Sequence, residues 1–173
     1  MKIGIIGVSS VTMKLADRAA KAGHEVLISH VRNNNIIKES VMRMGNKVKL
    51  VSKERVLKAG IIILFVPLDD LKNFISDLPD MSGKILIHTN NGIIGKEFPK
   101  FALGKSSSEI LILQLPEANI IKTYNIIEPS VCLQKKQNYV GDKIFYSGDN
   151  IIAKSRVKSF FKTLDFESVD FDV

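Results

Sequence analysis

The amino-acid sequence predicts a doubly wound α/β fold, in which a parallel sheet carries helices on both faces. Three observations support this prediction. Short apolar runs typical of buried strands alternate with helix-like segments along the whole chain. One run, GIIILFV at 60–66, is apolar throughout, as expected of a central strand buried on both faces. The first 29 residues read as strand, tight turn, helix and strand, which is one βαβ unit.

The first βαβ unit begins with MKIGIIG at 1–7, a short apolar run that ends in glycine. Residues 11–22 follow with helical spacing, because their apolar side chains fall on one face. Ser9 or Ser10 could cap the N-terminus of this helix, and Gly23 is expected to end it. HEVLIS at 24–29 is the second strand.

The remaining elements continue the alternation. Further strands are predicted at 47–51, 60–66, 83–89, 118–125, 143–146 and 166–169, and further helices at 36–44, 52–59, 106–115 and 150–164. Ser52 is expected to cap the helix at 52–59. Asp69 and Asp70 lie where a helix start would favour negative charge. The chain shows no internal repeat, low-complexity segment or linker, so residues 1–173 are expected to form a single domain.

The composition excludes several classes of protein. Hydrophobic residues make up 45% and charged residues 25% of the chain, which is typical of a globular protein. No apolar run reaches the length of a membrane span, so no membrane association is expected. The single cysteine, Cys132, excludes an internal disulfide and suits a reducing cytoplasm, where we expect the protein to reside. The three histidines lie far apart in sequence, so no metal site is predicted.

The net charge is +7. Nucleic-acid binding would require lysines and arginines clustered with aromatic residues on one face. The lysines are instead scattered, and the chain has only three tyrosines and nine phenylalanines. We therefore interpret the charge as a solvated basic surface that favours anionic ligands generally, and expect no nucleic-acid partner.

The turn GVSSVT at 7–12 falls where a dinucleotide-binding fold holds the pyrophosphate, and such a turn would have glycine at positions 7, 9 and 12. Only Gly7 is present. Ser9 places a Cβ where the backbone approaches the phosphates, and Thr12 a branched side chain where helix and strand pack. Hydroxyl donors on Ser9 and Ser10 could partly compensate, since one lost backbone contact costs about 1–2 kcal/mol. Weakened binding is expected; a turn that binds nothing is the alternative.

The residues after the second strand bear on the choice of dinucleotide. An acidic residue here typically binds the ribose hydroxyls of NAD, whereas basic residues accommodate the 2′-phosphate of NADP. The chain has Ser29, His30 and Arg32 at this place and no acid. Ser29 can donate a hydrogen bond, and the other two can supply positive charge. The pattern favours NADP(H) over NAD, with a solvated basic loop as the alternative.

The sequence also resembles the coenzyme F420-dependent NADP oxidoreductases over nearly its whole length. The similar segments are KIGIIG at 2–7, AKAGHEV at 20–26, GIIILFVP at 60–67, GKILIHTN at 83–90, the pair Ser108–Glu109, LPEANIIKTYN at 115–125, SGDN at 147–150 and LDFESVD at 164–170. The resemblance implies a Rossmann-like fold. It also implies a reductase that moves a hydride between NADP(H) and a small-molecule acceptor, a deazaflavin in the named members, and a homodimer.

By family position, the resemblance implies the residues that line the cofactor. They are Gly7, Ser9, Ser10 and Val11 at the pyrophosphate, Ser29, His30 and Arg32 at the 2′-phosphate, Val66 and Pro67 midway, and Thr89 and Asn90 with His88 near the nicotinamide. His88 stands where the family usually has a small residue. It is the candidate catalytic residue, as a proton donor, because the ordinary pKa of histidine lies in the useful range. A histidine that only packs or makes a hydrogen bond is the alternative.

Two other functions remain compatible with the sequence. A sensor would bind NADP(H) without transferring a hydride. A partner-binding module would retain the fold with a phosphate turn that no longer binds a dinucleotide. Hydride transfer to a flavin-like ring needs no nucleophile on the protein, so the lack of a catalytic triad does not argue against a reductase.

Overall fold

The computed structural model describes residues 1–89, 107–124 and 143–172. Within them the strands are β1 (Lys2–Ile6), β2 (Glu25–Ser29), β3 (Val48–Leu50), β4 (Ile61–Leu64), β5 (Ile85–His88), β6 (Asn119–Thr123), β7 (Lys143–Ser147) and β8 (Glu167–Asp170). The α-helices are α1 (Ser10–Lys21), α2 (Lys38–Met42), α3 (Lys53–Val56), α4 (Leu68–Ser76), α5 (Ser107–Gln114) and α6 (Ile151–Thr163), and a 3₁₀ turn, Asn34–Ile37, precedes α2. Two residues singled out from the sequence, Asn90 and Cys132, lie outside the described ranges.

The described strands form one sheet in the order β3-β2-β1-β4-β5-β6-β7-β8. The chain builds outward from β1 to β3 on one side and then returns to place β4 on the other side of β1. The carboxyl ends of β1 and β4 therefore form the switch point at which doubly wound folds bind ligands. The predicted doubly wound parallel sheet is confirmed with one exception, which is the antiparallel pairing of β6 with β7. Apolar periodicity identifies a strand but does not encode the direction of its partner.

Helices cover both faces of the sheet, as predicted. Side chains alternate along the central strands, so Ile3 and Ile5 of β1 enter one core layer and Ile6 enters the other. The first layer, packed by α1, α2 and α6, includes Leu15 and Phe160. The second layer is packed by α3, α4 and α5. This double coverage explains why β4 is apolar and buried at all four positions.

The predicted elements are present, and their ends differ by one to several residues. The helix predicted at 36–44 is divided into the 3₁₀ turn and the short α2. Ser52 occupies the N-cap position of α3, but its side chain makes no capping hydrogen bond to the helix backbone, so the predicted cap is only positional. Ser9 is the cap of α1. No helix in the described ranges has both the length and the apolarity that a membrane span requires.

Candidate functional site

The turn between β1 and α1 requires glycine at its first position. Gly7 has φ +84°, and a Cβ built there would lie 1.7 Å from the carbonyl oxygen of Phe65 and 3.2 Å from Cγ2 of Val31. Its N–H donates to the carbonyl of Ser29 (2.9 Å). Gly7 therefore lies in close contact with both the segment after β2 and the segment after β4. Its Cβ-free surface is what allows the three chain segments to meet at the switch point.

Ser9 and Thr12 close this turn on itself. The N–H of Ser9 donates to Oγ1 of Thr12 (2.8 Å), and the N–H of Thr12 donates to Oγ of Ser9 (3.2 Å), which is a reciprocal capping box. The Thr12 hydroxyl donates a hydrogen bond to the carbonyl of Gly7 (3.3 Å), and the Thr12 side chain is completely buried. The two residues that replace motif glycines thus form one hydrogen-bonded unit. Sequence reasoning treated Thr12 only as a lost glycine, although Ser and Thr three residues apart are a capping signal.

The capping box leaves a defined set of donors at the N-terminus of α1. Ser10 and Val11 are the first two residues of the helix, and no carbonyl within a helix can accept from amides at these positions. The amide of Thr12, the next residue, is satisfied by Ser9. An anion at this end of the helix is therefore favoured by the two remaining amides and by the helix dipole. Ser9 is committed to the cap, whereas Ser10 is exposed.

Asn34, which sequence reasoning did not single out, organises the residues after β2. Its Oδ1 accepts from the N–H of His30 (2.7 Å) and from the hydroxyl of Ser29 (3.3 Å), and its Nδ2 donates to the carbonyl of Val51 (2.8 Å). Ser29 is buried and its hydroxyl proton is directed at Asn34. The signal in the sequence is the run of three asparagines at 33–35, because asparagine side chains commonly bond neighbouring backbone groups in turns.

His30 shapes the same corner through its ring. Nδ1 accepts from the N–H groups of Arg32 (3.1 Å) and Asn33 (3.2 Å). With Nδ1 acting as an acceptor, the ring keeps Nε2–H as its donor. Arg32 supplies positive charge at the same corner.

Arg32 is exposed and forms an ion pair with Asp70 in the first turn of α4. Its Nε and Nη2 lie 3.0 and 2.9 Å from the same Oδ2 atom. The arginine side chain is 67% exposed and the aspartate 26% exposed. The pair joins the segment after β2 to the helix after β4. Asp69 and Asp70 both lie in the first turn of α4, as predicted, but the pairing with Arg32 could not be inferred from the sequence.

The ends of β4 and β5 carry the next group of predicted residues. Val66 is buried, and Pro67 is exposed at the N-cap position of α4. Thr89 is buried, and both its N–H and its hydroxyl donate to the carbonyl of Leu64 (2.9 Å each). Thr89 is thus fastened to the end of the neighbouring strand, beside the switch point.

His88 lies inside the core layer formed by α3, α4 and α5, because it is in register with Leu64 of that layer. Only 1% of its surface is exposed. Nδ1 is 3.0 Å from Oγ of Ser108 on α5, and Nε2 has no hydrogen-bond partner among the described residues. Burial, and secondarily the charge of Lys122 on β6, lowers the pKa of His88 from 6.5 to about 4. The ring is therefore uncharged at neutral pH.

The arrangement brings three predicted segments together at the switch point: the turn at 7–11, the corner at 29–32 and residues 66–67, which precede α4. His88 is on the sheet face opposite to α1, since the core residues of α1 belong to the other layer. No cluster of histidine, cysteine and carboxylate side chains suited to a metal is found in the described ranges. The amides of α1, the Cβ-free turn and Arg32 together suit an elongated anionic ligand such as a dinucleotide.

Comparison with solved structures supports the fold. A hypothetical protein from Sinorhizobium meliloti is 26% identical with a TM-score of 0.77, and the match covers 98% of this chain and 84% of that one. A protein provisionally described as an F420-dependent NADP reductase, from Arthrobacter sp. FB24, is 22% identical with a TM-score of 0.73, covering 99% and 84%. A reductive aminase from Aspergillus terreus, solved in complex with NADPH and ethyl levulinate, is 15% identical with a TM-score of 0.65. The match covers 98% of this chain and 54% of the aminase.

Comparison with protein families identifies the family, whereas the structural comparison shows the fold. No curated protein sequence matches the chain. The family described as NADP oxidoreductase, coenzyme F420-dependent, matches residues 2–92, which include the phosphate turn, the corner after β2 and the ends of β4 and β5. NADP(H), the cofactor predicted from the sequence, is the cofactor of that family. Because the match covers more than half of its residues, the chain belongs to the coenzyme F420-dependent NADP oxidoreductases, as its resemblance indicated.

Proposed function

We propose that this NADP-dependent oxidoreductase transfers a hydride between NADPH and a small acceptor of the deazaflavin or flavin type. The observation that carries the proposal is the turn at Gly7. It admits no side chain, lies at the switch point and leads directly into the N-terminus of α1. A glycine-dependent turn with unpaired helix amides is the anion site that a pyrophosphate requires.

Individual residues have separate roles in this proposal. The amides of Ser10 and Val11 hold the pyrophosphate, and the exposed hydroxyl of Ser10 adds a donor. Arg32, assisted by the Nε2–H of His30, holds the 2′-phosphate. Asn34 positions the corner through its contacts with the backbone after β2.

The middle and the nicotinamide end of the site involve the ends of β4 and β5. In the proposal Val66 and Pro67 flank the cofactor midway, and Thr89 and Asn90 lie near the nicotinamide. NADPH when bound supplies the hydride, so the residues of this chain need only bind and orient the two reactants. His88 is buried and uncharged, so its role here is to fix the end of β5 through Ser108 and not to deliver a proton as a cation.

Two structural neighbours are described with reactants of this kind. The Arthrobacter protein is provisionally described as an F420-dependent NADP reductase, and the Aspergillus reductive aminase was solved with NADPH. Both likenesses are at low sequence identity and concern the fold. The deazaflavin acceptor is therefore carried to this chain by the family match and is the part of the proposal to test first.

Calorimetric titration with NADPH and NADH at moderate salt tests cofactor binding, and NADPH oxidation with deazaflavin, flavin and ferric acceptors tests the reaction. Micromolar binding of NADPH, much weaker binding of NADH and turnover with a deazaflavin or flavin would support the proposal. Binding of NADPH without turnover on any acceptor would contradict the proposed reductase activity. It would favour a sensor that binds NADP(H) without transferring a hydride. Absence of binding by both cofactors would contradict the assigned cofactor site.

Replacement of Arg32 by alanine tests the 2′-phosphate assignment. Arg32→Ala should weaken NADPH binding about tenfold and change NADH binding little, because only NADPH presents the 2′-phosphate. Arg43→Ala is the matched control, since Arg43 is also exposed and also paired with a carboxylate, Glu39, but lies at the far end of α2. Equal losses for the two cofactors, or an equal effect of the control, would remove the assignment.

A further inference from the structure

We propose that Asp70 limits how strongly this protein discriminates NADP(H) from NAD(H), by neutralising the arginine that binds the 2′-phosphate. The inference rests on the proposed function, in which Arg32 is the 2′-phosphate residue. In this proposal Asp70 touches no part of the cofactor. It affects specificity indirectly, by offsetting the positive charge of Arg32.

The geometry of the pair leaves the arginine only partly available. Nε and Nη2 of Arg32 both point at one carboxylate oxygen of Asp70, at 3.0 and 2.9 Å. A guanidinium has five N–H donors, so the Nη1 edge and one Nη2 proton remain for an incoming phosphate. A phosphate bound at that edge would lie next to the edge of the same guanidinium that the carboxylate occupies.

This placement makes the carboxylate an electrostatic competitor. Arg32 and Asp70 together carry no net charge, so the 2′-phosphate meets a corner whose attraction is largely cancelled at long range. A carboxylate and a phosphate separated by one guanidinium repel each other, and exposure weakens this repulsion without abolishing it. NAD(H) lacks the 2′-phosphate and therefore does not experience this particular repulsion. The carboxylate therefore lowers the affinity for NADP(H) selectively.

We expect the ion pair to contribute little to the stability of the fold. Exposed ion pairs typically contribute about 0–1 kcal/mol, and the side chain of Arg32 is 67% exposed. Asp70 also lies in the first turn of α4, where a negative charge is mildly favourable. Asp69 has the same favourable position, is exposed and makes no ion pair in the described part of the chain. Asp69 is therefore a matched control, because it lies in the same helical turn as Asp70 but does not pair with Arg32.

The test replaces each aspartate by asparagine, which removes one negative charge and keeps the size. Calorimetric titrations measure NADPH, NADH and the fragment 2′,5′-ADP with wild type, Asp70→Asn and the control Asp69→Asn. We expect Asp70→Asn to tighten NADPH and 2′,5′-ADP roughly fivefold and to leave NADH within about twofold. Asp69→Asn should leave all three within about twofold, and the gain should vanish in Arg32→Ala/Asp70→Asn.

Other results would overturn the inference. Unchanged or weaker NADPH binding by Asp70→Asn, with wild type binding NADPH, would mean that Asp70 orients Arg32 and does not compete with the phosphate. An equal gain in NADPH affinity from Asp69→Asn would mean that the effect comes from the change in net charge and not from the pairing of Asp70 with Arg32. Failure of the wild type to bind either NADPH or 2′,5′-ADP would overturn the proposed function together with this inference, and so is distinct from a failure of the Asp70 argument alone.

Discussion

Ser9 and Thr12 show how single residues can replace a motif glycine without abolishing the turn. Each side chain satisfies a backbone amide of the other residue, and the Thr12 hydroxyl also reaches the carbonyl of Gly7. A glycine at either position would leave an amide at the helix start without this partner. The side chains therefore lose the close approach to a ligand that glycine would allow, and they gain a closed capping box that stabilises the start of α1.

Replacements at Ser9 should separate these two contributions. Ser9→Ala removes the cap and should lower the free energy of unfolding by about 1 kcal/mol, whereas Ser9→Gly should lower it by only a few tenths. Urea unfolding followed by circular dichroism measures both. Equal losses for the two variants would show that the hydroxyl of Ser9 does not contribute as a cap.

His88 has a residue-scale consequence for pH dependence. Its pKa is about 4 in the folded protein and 6.5 as the ordinary value, so between these limits the unfolded chain binds a proton that the folded chain does not. Stability from this residue is therefore complete above about pH 6.5 and is lost as the pH falls toward 4. Full loss corresponds to about 3 kcal/mol. His24, whose pKa burial also lowers, contributes in the same direction.

Because two histidines act together, the prediction compares His88→Asn with wild type. The asparagine keeps a partner for Ser108 but removes the titrating ring. The free energy of unfolding of wild type should fall more steeply than that of His88→Asn between about pH 6.5 and about pH 4. Urea unfolding at several pH values measures the two slopes. Parallel slopes would contradict a buried, uncharged His88.

At the scale of elements, the turn between β1 and α1 depends on contacts from two other strands. Gly7 bonds to the end of β2 and abuts the carbonyl that follows β4. A positive φ by itself gives glycine only a modest advantage over other residues. Gly23 has the same φ of +84° where α1 ends, but a Cβ there would meet no atom within 4 Å. The packing of neighbouring elements, and not the turn conformation, makes position 7 strict.

Alanine at these two glycines isolates the packing contribution. Both variants incur the left-handed strain of about 1 kcal/mol. Gly7→Ala adds a Cβ at 1.7 Å from a carbonyl oxygen and should lose about 3 kcal/mol or more, whereas Gly23→Ala meets no atom within 4 Å. The comparison uses the urea midpoints of the two variants. Similar losses at both positions would contradict the close approach of Phe65.

At the scale of the whole molecule, the net charge of +7 adds a general attraction for anions to the specific contacts at the switch point. Dissolved salt screens this attraction. NADPH carries about two more negative charges than NADH, because of its 2′-phosphate. The affinity for NADPH should therefore depend more strongly on salt than the affinity for NADH.

Titrations at about 0.05 M and about 0.5 M sodium chloride test this expectation. The dissociation constant of NADPH should rise several-fold more than that of NADH over this range. Asp70→Asn should enlarge the NADPH response, since it exposes a full positive charge at Arg32. An equal salt response of the two cofactors would contradict a charged 2′-phosphate site.

Much of the architecture could be predicted from local patterns, and part of the site could not. Apolar runs bounded by glycine and proline marked β1, β4 and β5, because burial on both faces leaves a sequence signal that does not depend on partners. The antiparallel pairing of β6 with β7 left no such signal. Asn34 and Asp70 were not assigned to the site, because the sequence does not show whether a polar side chain bonds its neighbours or a distant segment.

The sequence by itself determined the βαβ alternation, the switch point that follows from it, the glycine at position 7 and the basic corner without an acid after β2. These depend on periodicity and on residue type, which are properties of the local chain. Tertiary structure decided which side chains remain available: Ser29 is directed at Asn34, His88 is uncharged in the core, and Arg32 is paired with Asp70 from 38 residues away. Hydrogen bonding, burial and charge pairing are set by neighbours in space, which no local pattern specifies.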